Sequence, residues 1–279
     1  MLPDFLSVPR ERLGEGHAVA VSIVPDAAAL AEVMARDMLA EIAAARTAGR
    51  NPTLIVPVGP VDQFPILARL INAERVSLAD CMFINMDEYL TEGAAWVDEE
   101  HPLSFRGYMR RAFYDLVDAE LAPPRDMRVF PDPRRPERMA KIIAERGGVD
   151  ACFGGIGINA HVAFNEPPEP GVSMTVEEFA ALPSRVLPLA RETRTINSVT
   201  VGGEISIIPK LAVTVGMREI LASRRLRLYC NRPWQAAVAR RVLRGPITPA
   251  APASLARTHP DATLTLTEQV ATPPDIRLR

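Results

Sequence analysis

Gly154-Gly155-Ile156-Gly157-Ile158-Asn159-Ala160-His161-Val162-Ala163-Phe164-Asn165-Glu166-Pro167 is the stretch on which the reading of this chain turns. It begins as the end of an apolar run, Ala151 to Ile156, and passes into a turn that carries a histidine and, five residues on, a carboxylate. A short apolar run bounded by turn residues reads as a buried strand. Its glycines let backbone come close to a ligand. His161 and Glu166 on one loop can act as a proton-transfer pair.

Working outward, a second acidic cluster, Asn85-Met86-Asp87-Glu88-Tyr89, follows another apolar run, Met82 to Asn85. Further strands are expected at Ala18 to Val24, Thr53 to Pro57, Met127 to Phe130, Leu211 to Val215, Leu226 to Cys230 and Leu264 to Leu266. Between them the pattern predicts helices at Ala27 to Arg46 with Asp26 as N-cap, Asp62 to Asn72, His101 to Leu116, Pro136 to Arg146 and Trp234 to Leu243. The proline-rich segment Pro167 to Pro183 reads as a lid or a rigid surface loop with a short helix near Val176 to Ala181.

Apolar strands alternating with helices mean a largely parallel sheet covered on both faces, an α/β fold of Rossmann-like type. The length of 279 residues suits one such domain over 1–279. Two loops bearing polar groups at strand carboxyl ends then point to one active site in a sheet crevice.

The apolar content of 48% supports a substantial core, and the net charge of -2 argues against nucleic acid or membrane as a bulk partner. Cys81, Cys152 and Cys230 are few and far apart, so buried reduced thiols are expected rather than a disulfide framework or a metal site. The start, Met-Leu-Pro-Asp-Phe-Leu, has no signal-peptide pattern, and no apolar run is long enough to span a bilayer, so the default location is cytoplasmic. Lys141 and Lys210 are the only lysines, so a Schiff-base lysine would have to be one of them. Nothing excludes a homo-oligomer.

Five words in order carry a family resemblance. They are Asn85-Met86-Asp87-Glu88-Tyr89; His101-Pro102 with Ser104; His161 with Ala163-Phe164-Asn165-Glu166-Pro167; Glu192-Thr193-Arg194 with Asn197-Ser198; and Pro209-Lys210 before Ala212-Val213-Thr214-Val215-Gly216. From about Thr53 to about Pro260 the chain resembles the glucosamine-6-phosphate deaminases. The resemblance implies their fold and a small-molecule sugar or amino sugar as partner. It implies a reaction with no metal or cofactor: aldose-ketose isomerisation with release of ammonia. It makes Asp87 the base that moves a proton between C2 and C1, His161 the group that opens the pyranose ring, and Glu166 its partner. A carboxylate suits that first task when desolvation lifts its pKa. Outside this context Asp87 and Glu88 read as loop acids capping a helix, and His101 reads as a helix-start residue.

The chain departs from the family in two places. Asn159 stands where the family has aspartate, and an amide can orient an imidazole but cannot stabilise an imidazolium by full charge. Ala160 replaces a glycine beside it. The second departure concerns phosphate. The family's Gly-Gly-Thr/Ser turn is here Pro57-Val58-Gly59-Pro60-Val61, its arginine position is Val199, and its lysine position falls at Trp234 or Gln235, with Arg232 nearby. Pro60 removes an N–H and Val61 a hydroxyl. The substrate-facing set expected from these words is Val58, Gly59, Pro60, Glu88, Gly157, Ala160, Val199, Arg232 and Trp234. The losses point to a substrate other than glucosamine 6-phosphate. The alternatives are a sugar-phosphate lactonase of 6-phosphogluconolactonase type and a non-catalytic sugar-binding pseudoenzyme.

Overall fold

The structure, a computed structural model, describes residues 2–59 and 62–277. Its strands in chain order are β1 (Ala20–Val24), β2 (Thr53–Val56), β3 (Met82–Asn85), β4 (Asp87–Leu90), β5 (Arg128–Val129), β6 (Ala151–Gly155), β7 (Arg185–Pro188), β8 (Leu211–Thr214), β9 (Leu226–Cys230) and β10 (Ala262–Thr267). Seven of them form one sheet in the order β1-β10-β9-β6-β2-β3-β5, with every pairing parallel. The α/β reading with a mostly parallel sheet therefore holds.

The central strands β2, β3 and β6 read as apolar runs because both faces are covered. Along β2, Leu54 and Val56 pack into one cluster, with the helices Ala27–Thr47 and Gln63–Glu74. Ile55 between them packs into the other, which takes in Gln235–Arg244. That alternation is the period of two of a pleated strand. The first helix is capped as its sequence predicts, with Asp26 accepting the Ala29 N–H at 2.9 Å. All three cysteines are buried free thiols, and burial pushes Cys81 and Cys230 up to about 12. No helix of the described residues is long and apolar enough to cross a membrane.

Three elements differ from expectation. β4, β8 and β7 form a separate antiparallel sheet, with Asp87 opposite Thr214 and Arg185 opposite Thr214 on its other side. Leu211–Thr214 is thus a strand, as its sequence predicts, but it lies outside the main sheet. The expected helix from His101 starts only at Phe105, behind the N-cap Ser104, and passes at Arg110 into a π-helical turn ending at Tyr114. The polar segment Arg191–Ser198 is an α-helix that periodicity gives no reason to expect. Within Pro167 to Pro183 the short helix Val176–Ala180 forms, and Phe179 anchors it in the core.

β2 connects toward β3 on one side of the sheet, while β6 connects toward β9 on the other. The chain order reverses between β2 and β6. A crevice opens there at the strand carboxyl ends, the place where open α/β sheets bind ligands.

Candidate active site

The crevice is a cavity of about 570 Å³. The loops after β2, β3, β6 and β9 all reach it, through Pro57-Val58-Gly59, Met86-Asp87, Ile156-Gly157 with His161, and Asn231 to Gln235. Leu103, Phe105, Phe164 and Ile196 close its sides.

Asp87 gets there because β3 ends at Asn85 and the chain turns at once into β4. Met86 is fixed by hydrogen bonds from its N–H to Val56 and from Val215 N–H to its carbonyl. Asp87 is 7% exposed, and no hydrogen bond to its carboxyl is found among the described residues. Desolvation first, and the charge of neighbouring Glu88 second, push its pKa well above the ordinary carboxylate value. A buried carboxyl left unpaired at a cavity wall is a candidate base held for a ligand proton.

His161 sits on the loop that follows β6. Its ring lies flat against Gly157, where an added Cβ would fall 2.1 Å from Cε1 and Nε2. The glycine is what lets the imidazole fold back over the strand end. Nδ1 lies 2.8 Å from Asn159 Oδ1, 3.2 Å from Glu166 Oε2 and 3.3 Å from Thr193 Oγ1. Asn159 Nδ2 donates to Glu166 Oε2 at 2.6 Å, and Thr193 Oγ1 donates to the same oxygen at 3.1 Å. Acceptors around Nδ1 assign its proton to that nitrogen and leave the lone pair on Nε2. Burial works against the Glu166 carboxylate, yet the bonds from His161, Asn159 and Thr193 outweigh it and hold the carboxyl below its usual value.

Asn165 fastens this loop to the small sheet. Its amide donates to the carbonyls of Val162 and Val215 at 3.0 and 2.9 Å, and its oxygen accepts from Arg185 at 2.7 Å. Phe164 N–H bonds Thr214 Oγ1 at 3.0 Å. Since Thr214 is the register partner of Asp87, the small sheet ties the Asp87 and His161 loops together. Ala160 and Ala163, on either side of His161, both have positive φ, 67° and 54°. That conformation favours glycine, so the fold holds the loop under local strain.

The expected site residues divide accordingly. Asp87, His161, Gly157, Val58, Gly59, Val199, Arg232 and Trp234 line the cavity. Asn159 and Glu166 stand behind His161. Pro60 and Val61 lie outside the described residues. Two expected substrate contacts are corrected. Glu88 is fully buried and turned away: its carboxylate accepts the N–H groups of Phe105 and Arg106 at 3.0 and 2.9 Å and the Ser104 hydroxyl at 3.0 Å. Successive strand residues face opposite ways, so when Asp87 faces the cavity Glu88 faces the helix beginning at Phe105. Ala160 packs into the core cluster instead of the cavity wall. Neither lysine lines the cavity; both are exposed, Lys141 beside Glu145 and Lys210 beside Glu92. No residue of Pro167 to Pro183 lines it either.

Sequence reasoning missed Thr193 as a partner of the His161–Glu166 pair, and Asn197, which lines the cavity and donates to Tyr89 Oη at 2.9 Å. Both fall in family words, the only signal that could have marked them; their partners are far away in sequence.

No protein-family model matches the chain. A glucosamine-6-phosphate deaminase from Bacillus pumilus is 30% identical over 230 residues, 79% of this chain and 88% of the relative. One from Streptomyces avermitilis is 30% identical over 259 residues, 90% of this chain and 91% of the relative. Among solved structures, a monomeric glucosamine-6-phosphate deaminase superposes with a TM-score of 0.75 at 25% identity, covering 91% of this chain and 99% of its own. The 6-phosphogluconolactonase of Trypanosoma brucei gives 0.65 at 16% identity over 92% and 98%, a likeness of fold.

Proposed function

This chain belongs to the glucosamine-6-phosphate deaminase family, and from that premise we propose that it is an amino-sugar isomerase/deaminase whose substrate is not glucosamine 6-phosphate. The observation that carries the reaction is the pairing, in one cavity, of an unpartnered buried carboxyl, Asp87, with an imidazole anchored through Nδ1, His161.

In this reading His161 Nε2 takes the proton of the anomeric hydroxyl and returns it to the ring oxygen, giving the open-chain aldehyde. Asp87 removes the C2 proton, and the electron pair moves through C1 to the aldehyde oxygen, which takes a proton from the C2 ammonium to give an enolamine. The same carboxyl returns the proton to C1. The product is a ketimine at C2, which water hydrolyses to the ketose and ammonia. Glu166, Asn159 and Thr193 orient the imidazole, and the Glu166 carboxylate balances its transient charge.

The substrate half rests on the cavity lining. Its only lysine or arginine among the described residues is Arg232. Val58, Val199 and Trp234 occupy positions where the resemblance calls for phosphate ligands. Charge-assisted hydrogen bonds are worth roughly 1.5–3 kcal/mol each, so losing several lowers phosphate affinity by orders of magnitude. Ammonia release across a panel of free and phosphorylated amino sugars tests both halves. The expected result is release from free amino sugars and little from glucosamine 6-phosphate. A kcat/KM near ~10⁴ M⁻¹s⁻¹ or higher on the phosphate ester contradicts the substrate assignment. No release from any sugar contradicts the deaminase reading.

A further inference from the structure

We propose that the cavity holds a second, uncharged pyranose beside the reacting one, so that the substrate class is a disaccharide with a free reducing amino sugar. This rests on the amino-sugar reading above and concerns the far end of the same crevice.

The sheet order fixes the span. From β9 through β6 and β2 to β3 are three strand spacings, about 14 Å. The loop after β9 carries Asn231 to Gln235, and the turn after β3 carries Asp87; both line the one cavity. A pyranose whose C1 and C2 meet Asp87 after β3 and His161 after β6 takes two of those spacings and leaves the third, about 5 Å wide, on the β9 side.

The groups on that side are those of a neutral sugar subsite. Trp234 lines the cavity, half-buried, with part of its side chain packed against the core cluster beneath. An indole offers a flat apolar face on which the C–H face of a sugar ring stacks. Asn231 is half-buried, lines the cavity, and its amide has no hydrogen bond among the described residues. Hydroxyl groups suit that amide because it both donates and accepts. Arg232 is an exposed guanidinium at the rim, with no ion pair among the described residues. One solvated cation adds little to the binding of a dianion, but its N–H groups can donate to hydroxyls. The Gln235 amide is spent on the backbone, accepting from Arg232 N–H and donating to Ile156 carbonyl, both at 2.7 Å. Those two bonds close the turn that carries Trp234 and tie it to the end of β6.

The chain has two tryptophans, Trp96 and Trp234. Trp96 lies outside the cavity, its Nε1 bonded to the Pro131 carbonyl at 3.0 Å. The Trp96→Phe variant therefore makes Trp234 the sole indole reporter. If that variant does not fold, the difference in emission between the parent and Trp234→Phe supplies the same signal. Titrations use the β-1,4-linked glucosamine disaccharide, glucosamine and glucosamine 6-phosphate. The expected result is a Trp234 emission change on binding the disaccharide and a Kd at least tenfold below that of glucosamine. Trp234→Ala should bring the ratio of the two Kd values toward one. Equal affinity for disaccharide and glucosamine, no change at Trp234, or tightest binding by the phosphate ester overturns the proposal. Binding needs no turnover, so the two readings fail separately. Disaccharide binding without ammonia release from any sugar contradicts the reaction alone. Ammonia from glucosamine without the tenfold preference contradicts the second ring alone.

Discussion

At the scale of the residue, the His161 loop is organised by what touches the imidazole. Asn159 does more than replace a charge. Its oxygen accepts the hydrogen bond from Nδ1 at 2.8 Å and its amide donates to Glu166 at 2.6 Å. An aspartate there would set a second carboxylate against Glu166, and the pair would have to share a proton or separate. Sequence alone exposes the lost charge and hides this bridge, because a hydrogen bond across a folded loop has no periodic signature. Gly157 is the residue on which the ring rests. Gly157→Ala puts a methyl carbon into the imidazole and must displace it. Displacing a reacting group by about 1 Å costs on the order of 10²-fold in rate. The variant should keep its far-UV circular dichroism and thermal midpoint while kcat falls by that factor. A kcat near that of the parent would mean that the ring position does not matter to turnover.

At the scale of the element, the central strands β2, β3 and β6 were legible because both of their faces are buried, which writes them as apolar runs. Of the small antiparallel sheet only Leu211–Thr214 was. Asp87–Leu90 is too short and too acidic to read as a strand, and Arg185–Pro188 is hemmed by prolines. Arg191–Ser198 is polar nearly all round, so no helical stripe marks it, yet it brings Thr193 to Glu166. The β4 strand also explains Glu88. The helix-capping alternative for an Asp-Glu pair describes this residue, while its neighbour faces the cavity. Glu88 gathers the first N–H groups of the helix starting at Phe105, and Arg106 pairs with it at 3.3 Å. Glu88→Ala leaves those donors and a cation without their acceptor, at a cost of about 3–5 kcal/mol. A urea titration should show the midpoint fall accordingly. An unchanged midpoint with a raised KM would return Glu88 to the substrate.

At the scale of the whole molecule, the reversal of strand order between β2 and β6 gathers four loops, and the small sheet locks two of them through Thr214, Asn165 and Val215. The central claim is that this crevice moves a substrate proton through Asp87. Burial raises the pKa of that carboxyl, and only its ionised form can accept a proton. Activity that needs this base is therefore absent at low pH and grows as pH rises through the raised value, well above the ordinary ~3.9 of an aspartate. The most direct test is the rate at which the C2 hydrogen of a free amino sugar is replaced by deuterium in D₂O, followed by NMR across pH for the parent and Asp87→Asn. The account predicts an exchange rate that climbs with pH along such a limb in the parent, and a loss of ~10²–10⁴-fold in the variant. Exchange that proceeds equally fast in Asp87→Asn would contradict it.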